Sequence, residues 1–150
     1  LVDNRALGNI PFFCKLLGVH VDQTLQFEDF EPVARPDVYW MICHDGRFND
    51  GISAHECRYK FLKLGDRVGL NAVEGLCLYA HFRRVVYGHR VELPGSVIVD
   101  PRGQGNRDSV ACLYLNASIP VLGQSGADSS VKGFGSAARA RMDFDKPLAA

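Results

Sequence analysis

The chain has 150 residues, 47% of them hydrophobic and 23% charged. That is the make-up of one globular domain with its own core, not of a disordered or collagen-like chain. Lysine plus arginine equals aspartate plus glutamate, at 17 each, which argues against a dedicated nucleic-acid binder and against a polybasic membrane anchor. Five cysteines, at 14, 43, 57, 77 and 112, form no CxxC pair and sit in apolar or periodic segments, as buried free thiols do. They imply a reducing, cytoplasmic setting. No apolar run approaches the length of a membrane span, and no signal peptide is visible.

In chain order, residues 10–19 (IPFFCKLLGV) are apolar and aromatic-rich and read as a buried strand. Residues 22–31 (DQTLQFEDFE) read as a short helix or turn, and Pro32 and Pro36 bracket a connector. Residues 38–44 (VYWMICH) carry Val, Tyr, Trp and Ile, which favour a pleated, packed surface, so a strand is expected with Trp40 in the core. Asp45-Gly46 then signals a hairpin, and Asp50-Gly51 leaves only Arg47 to Asn49 as the return strand.

Residues 53–65 (SAHECRYKFLKLG) spell a helix. Ser53 and Glu56 make a capping box, Ala54, Cys57, Phe61 and Leu64 recur at helical spacing, and Gly65 fits the left-handed stop. A second capping pattern, Asn71 to Glu74, opens a helix running to about Tyr87. Its two apolar stripes make it central to the fold. With a short loop between them, the two helices are expected as a hairpin on a sheet. Strands are expected at Ser96–Val99, Ser109–Leu115 and Ile119–Leu122, with polar loops at 100–108 and 123–133. A half-exposed strand is expected over 134–142, and residues 143–150 are expected to fray.

The segment CHDGRFNDGISAHEC, residues 43–57, invites a metal site, but the ligands do not converge. Cys43 and His44 point to opposite faces of a strand, and His55 and Cys57 diverge by roughly 200° on a helix. What survives is a junction of His44, Asp45, Arg47, His55 and Glu56, beside a helix N-terminus that suits an anion. There Glu56 or His55 would serve as base and Arg47 would hold an anionic substrate. Weighed against it, Asp45 makes a turn, Glu56 makes a cap, and the histidines are surface residues. A Glu74–His81 pair is separated by roughly 10 Å of helical rise, too far for contact. Ser125 in GQSGA lacks the last glycine of a nucleophile elbow, and GQG at 103–105 lacks the spacing of a phosphate loop. Arg83, Arg84, His89 and Arg90 form one basic cluster, and Arg139 and Arg141 a second row. Either offers an anion site, and an exposed charged face is the ordinary explanation.

The order of IPFF, a strand ending in DGR, the capped helix, GDR, LNAVEGLCLYAH, LPGS, ACLYL, PVLGQSG and GFGSAA resembles an uncharacterised bacterial domain family of unknown function, seen mainly in actinobacteria-like genomes. The resemblance spans roughly residues 8 to 142, rests on turns and apolar strands, and implies one compact bacterial domain with no catalytic residues to carry over.

Together these readings give a single α+β domain over residues 1–150: a mostly antiparallel sheet with a helical hairpin packed on one face. The sequence favours a non-enzymatic binding or protein-interaction module, acting on a protein partner or as a homodimer. The alternative is a small enzyme or anionic-ligand-binding protein using the 44–56 junction. A phosphate or nucleic-acid binder using Arg83, Arg84, Arg90, Arg139 and Arg141 ranks last on net charge. No cofactor and no metal are expected.

Overall fold

A computed structural model describes residues 1–3, 5, 9–99 and 105–146. It is an α+β fold of thirteen short strands and three helices among the described residues. The largest sheet has five strands in the order β12-β7-β10-β11-β2, comprising Phe134–Ser136, Arg90–Leu93, Ser109–Asn116, Ile119–Gly126 and His20–Val21. Its inner pairs, β7 with β10 and β10 with β11, are antiparallel, while β12 and β2 join parallel at the two edges. Two three-stranded antiparallel sheets adjoin it. One is β5-β13-β6 (Cys43–His44, Ala138–Ala140, Arg67–Gly69), and the other is β3-β8-β9 (Gln26–Asp29, Ser96–Val99, Gly105–Asn106). β1 (Val2–Asp3) pairs with β4 (Val38–Tyr39).

Residues 10–17 form helix α1, not the strand expected from their aromatic content. Asn9 accepts from the Phe12 N–H, Pro11 occupies the first turn where its missing N–H costs nothing, and Gly18 ends the helix at φ 71°. Only Ile10 and Cys14, four apart, are buried, so the run is an amphipathic face and not a two-sided strand. Residues 26–29 are a strand, not a helix, paired along β8. The expected strand 38–44 divides between β4 and β5, and Trp40 lies 75% exposed instead of in the core. Arg47–Asn49 form a 3-10 turn, and β5 takes β13 as its partner in place of a hairpin return. Gly123 to Gly126, expected in a loop, extend β11 against β10.

Helix α2 (Ala54–Leu64) and helix α3 (Ala72–His81) begin at the two capping boxes read from the sequence, Ser53–Glu56 and Asn71–Glu74. α3 is buried along Ala72–Tyr79 and packs into the main core with Val91, Leu93, Ala111 and Leu113. It ends at His81, and a 3-10 turn over Arg83–Val86 follows. Ala54 of α2 packs with Val110 and Ala127. Val110 and Ala111 point to opposite sides of β10, so the two helices straddle that strand, and their connection carries β6. Loop residues 100–104 and tail residues 147–150 lie outside the described residues. Within the segment expected to fray, Asp143–Asp145 form a 3-10 turn.

Beneath α3 lies a buried charge network. The Arg139 side chain, on β13, is fully buried, not on the exposed row expected for it. Its Nε donates to Glu74 Oε1 at 2.6 Å and its Nη2 to Asp145 Oδ1 at 2.7 Å, with a second bond from Nη1 to the same carboxylate. Tyr39 donates its hydroxyl to Glu74 at 2.6 Å, and the other Glu74 oxygen accepts the Asn71 N–H at 2.9 Å. Burial raises the Tyr39 hydroxyl pKa, and the neighbouring Glu74 charge adds to the rise. Burial alone would raise the Asp145 carboxyl too, but Arg139 and the Met142 N–H hold it below the ordinary value. Removing one partner of such a set strands the others as uncompensated charges. Arg139→Ala is therefore expected to cost about 3–5 kcal/mol in urea unfolding, and a loss below about 1 kcal/mol, the scale of an exposed pair, would contradict this picture.

Candidate functional site

The residues of the 44–56 segment fall into two places. His44 Nδ1 accepts the Gly46 N–H at 3.1 Å, and its ring meets Phe48 edge-on. Asp45 is ion-paired with Arg47 and also accepts the Arg47 N–H. Arg47 reaches on to the carbonyls of Tyr87 and Val85, and His89 Nε2 bonds the Asp45 carbonyl at 2.9 Å. Burial, then the charges of Arg67 and Lys60, lower the His44 pKa. His55 and Glu56 are exposed and line a separate groove that His44, Asp45 and Arg47 do not reach. Glu56 accepts from both the N–H and the hydroxyl of Ser53. Among the described residues no group of three or more His, Cys, Asp or Glu could hold a metal ion.

The basic residues also divide. Arg83 donates to the Leu17 carbonyl and lies over Tyr79, and Arg84 is exposed. Arg90 is held between the rings of Tyr114 and Phe134, at 4.1 and 4.3 Å. Arg139 is internal. Arg141 is half-buried and lines a cleft with three arginines that the sequence did not single out: Arg35, Arg58 and Arg67.

That cleft, about 570 Å³ including its open mouth, runs between α2, β6 and the 30–35 segment. Phe61 and Leu62 of α2, with Val68 and Pro94, supply apolar surface. Beside them β6 crosses the Pro94-Gly95 turn at backbone contact: a Cβ on Gly95 would collide with the Gly69 carbonyl, so only glycine fits there. Of the four arginines, Arg35 is ion-paired with Asp29, and Arg67 with Asp66. Arg58 has no carboxylate partner among the described residues. Its guanidinium donates to the carbonyls of Pro94, Ser96, Arg107 and Ser109 at 2.8–3.0 Å and lies 4.2 Å from the Phe30 ring centroid. Burial, then the Arg107 charge, lower its pKa to about 10. Arg141 donates from Nη1 to the Asp145 carbonyl at 3.3 Å. The Nε–H groups of Arg35 and Arg141 are buried with no hydrogen-bond acceptor, and that of Arg35 lies 4.0 Å from Glu74 Oε1. Asp145 also lines the cleft, but its carboxylate is engaged by Arg139. The other carboxylate of the lining is the exposed Glu31.

One signal for this site was present in the sequence. Arg58 lies four residues after Ala54 and three before Phe61, on the border of the apolar stripe of α2. Arg35 sits in a connector and Arg67 opens the three-residue strand β6, with no periodicity to mark them.

With this geometry in view, no family model matches the chain, and no curated protein or solved structure matches it either. No helix among the described residues is long and apolar enough to cross a membrane.

A third buried acid, after Glu74 and Asp145, lies beneath α2. Glu92 of β7 is fully buried; Oε2 accepts from the Ser136 hydroxyl at 3.2 Å and Oε1 has no partner. Burial pushes its pKa from 4.5 up to about 7. Between these values the folded protein keeps a proton that the unfolded chain has lost. The resulting stabilisation is complete below pH 4.5 and disappears as pH rises through about 7, at a slope of at most about 1.4 kcal/mol per pH unit. Glu92→Gln is expected to remove this component, so the difference in unfolding free energy between variant and wild type should move in the variant's favour from pH 4.5 to pH 8. A difference constant across that window would refute the assignment.

Proposed function

We propose that this chain is a non-enzymatic binding domain that takes an anionic ligand with an apolar portion into the arginine-lined cleft. The observation that carries this reading is the gathering of four arginines on one cleft, with two Nε–H donors, on Arg35 and Arg141, left without acceptors. A buried donor without an acceptor costs free energy, and a carboxylate or phosphate is the acceptor that best matches a guanidinium. Two of the four cations, Arg58 and Arg141, have no carboxylate of their own among the described residues, so an incoming anion meets net positive charge. The apolar wall of Phe61, Leu62 and Val68 favours a ligand that is not only charge. The lining supplies cations, apolar surface and two carboxylates, Asp145 engaged by Arg139 and Glu31 exposed to solvent, with no histidine, cysteine or serine among its residues, which supports binding over catalysis. A reducing, cytoplasmic setting belongs to the same reading, supported by five cysteines all in the free thiol form.

Calorimetric titration with phenyl phosphate tests it. Binding is expected to weaken as salt rises and to fall about tenfold or more in Arg141→Gln, the scale of one lost charge-assisted hydrogen bond. The control Arg84→Gln, on an exposed arginine outside the cleft, should leave it unchanged. No measurable binding, or equal loss in both variants, would overturn the reading.

A further inference from the structure

The burial of residues 38–44, from β4 to β5, alternates. Tyr39, Met41 and Cys43 turn into the main core. Val38, Trp40 and Ile42 point to solvent at 44, 75 and 81% exposure, as alternate residues of an extended chain do. The Ala140 N–H donates to the Ile42 carbonyl at 2.9 Å, which carries the β5–β13 pairing one step past His44 and Ala138. Exposed Ala140 therefore lies beside Ile42 on the same face. His44 continues the row, and its ring meets that of Phe48, which is 87% exposed. Helix α2 covers this sheet face at Ala138, through Cys57 and Phe61, and leaves it exposed toward Ala140. Large apolar side chains gathered in one row differ from the scattered single ones that any surface carries.

We propose that this row is the core of a homodimer interface, in which the rows of two copies pack antiparallel about a two-fold axis. Area and charge both favour a second copy as the occupant. An interface of standard size takes about 800 Å² from each partner, about 500 Å² of it apolar. Trp40 and Phe48 alone offer about 300 Å² at their exposures, and Ile42, Val38 and Ala140 add to it. The arginines at the margin, Arg47 and Arg67, are already paired with Asp45 and Asp66. Two charges of opposite sign are left at the two ends. Asp37 precedes Val38, and Arg5, the cation that feels its charge, is ion-paired with Asp3. Lys60 lies at the other end, where its charge acts on His44 after burial and the Arg67 charge. Neither Asp37 nor Lys60 makes a salt bridge to a described residue. An isologous contact sets residue i on j and j on i. An axis between Trp40 and Ile42 lays the Val38 end of one copy over the His44 end of the other, so Asp37 of each copy meets Lys60 of the other. An anionic lipid surface would attract Lys60 but repel Asp37.

The test is analytical ultracentrifugation of the full chain over a concentration series, with tryptophan emission followed at each concentration. Trp40 is the single tryptophan of the chain, so its emission reports this face alone. The expected result is a reversible monomer–dimer equilibrium, with emission moving to shorter wavelength as the dimer forms. Ile42→Glu should weaken the dimer about tenfold or more and hold the emission at its solvent-exposed position at every concentration. Its circular dichroism should match wild type, because the Ile42 side chain is not part of the core. Asp37→Lys should weaken the dimer through like charge, and Lys60→Asp in the same chain should restore it. A monomer at every concentration would overturn the proposal, including one whose emission shifts only on vesicles of anionic lipid. So would a dimer indifferent to Ile42→Glu, a dimer that leaves Trp40 emission unmoved, or failure of Lys60→Asp to rescue Asp37→Lys.

Discussion

Arg139 is the constraint on which much of this molecule depends. A guanidinium cannot shed its charge, so burying one obliges the fold to bring carboxylates to it. Here Glu74 comes from the first turn of α3 and Asp145 from beyond the last strand. Glu74 is in turn fixed by its own capping bond to Asn71 and by the Tyr39 hydroxyl. One cation thus ties together β13, α3, β4 and the C-terminal turn. Phe144 and Tyr39 meet edge-on beside it, with ring centroids 5.0 Å apart, and shield the network from water. Replacing such a set with apolar residues can be neutral, so its value lies in setting register and position.

That positioning shapes the cleft. Asp145 is both a partner of Arg139 and part of the cleft wall, and Arg141 lies two residues along the same chain. Arg35 joins from the opposite side through Asp29, which also accepts from Asn71 at 3.0 Å. The internal arginine is saturated, while the buried Arg35 side chain and half-buried Arg141 keep Nε–H donors without hydrogen-bond acceptors. The same residue type therefore does two jobs a few residues apart: Arg139 organises the interior, and Arg141 and Arg35 are left able to take an external anion.

Local signals with a defined geometry were legible in the sequence. Both capping boxes and the glycine stop at Gly65 fixed α2 and the start of α3, because they depend on residues only a few positions apart. What failed depended on tertiary context. Residues 10–17 carry two phenylalanines, and their β propensity outweighed the quieter evidence of Asn9, Pro11 and Gly18. Trp40 sits in an apolar run, but β4 and β5 are only two residues each, so the residues between them are free to face solvent. The alternation over 134–142 placed Arg139 on a polar face, because no one-dimensional pattern shows that Glu74 and Asp145 arrive to neutralise it. The cleft was hidden likewise. Its four arginines come from a connector, a helix, the start of β6 and the residue after β13, and only the folded chain brings them together.

The central claim is that these arginines divide into a satisfied internal one and an unsatisfied pair awaiting an anion. The arginine Nε–H NMR spectrum, recorded with and without phenyl phosphate, addresses it at the atoms concerned. The account predicts that the Arg35 and Arg141 Nε–H signals move on titration while the Arg139 signal, already bonded to Glu74, stays in place. Stationary Arg35 and Arg141 signals, or a uniform drift of all arginines including exposed Arg84, would contradict it.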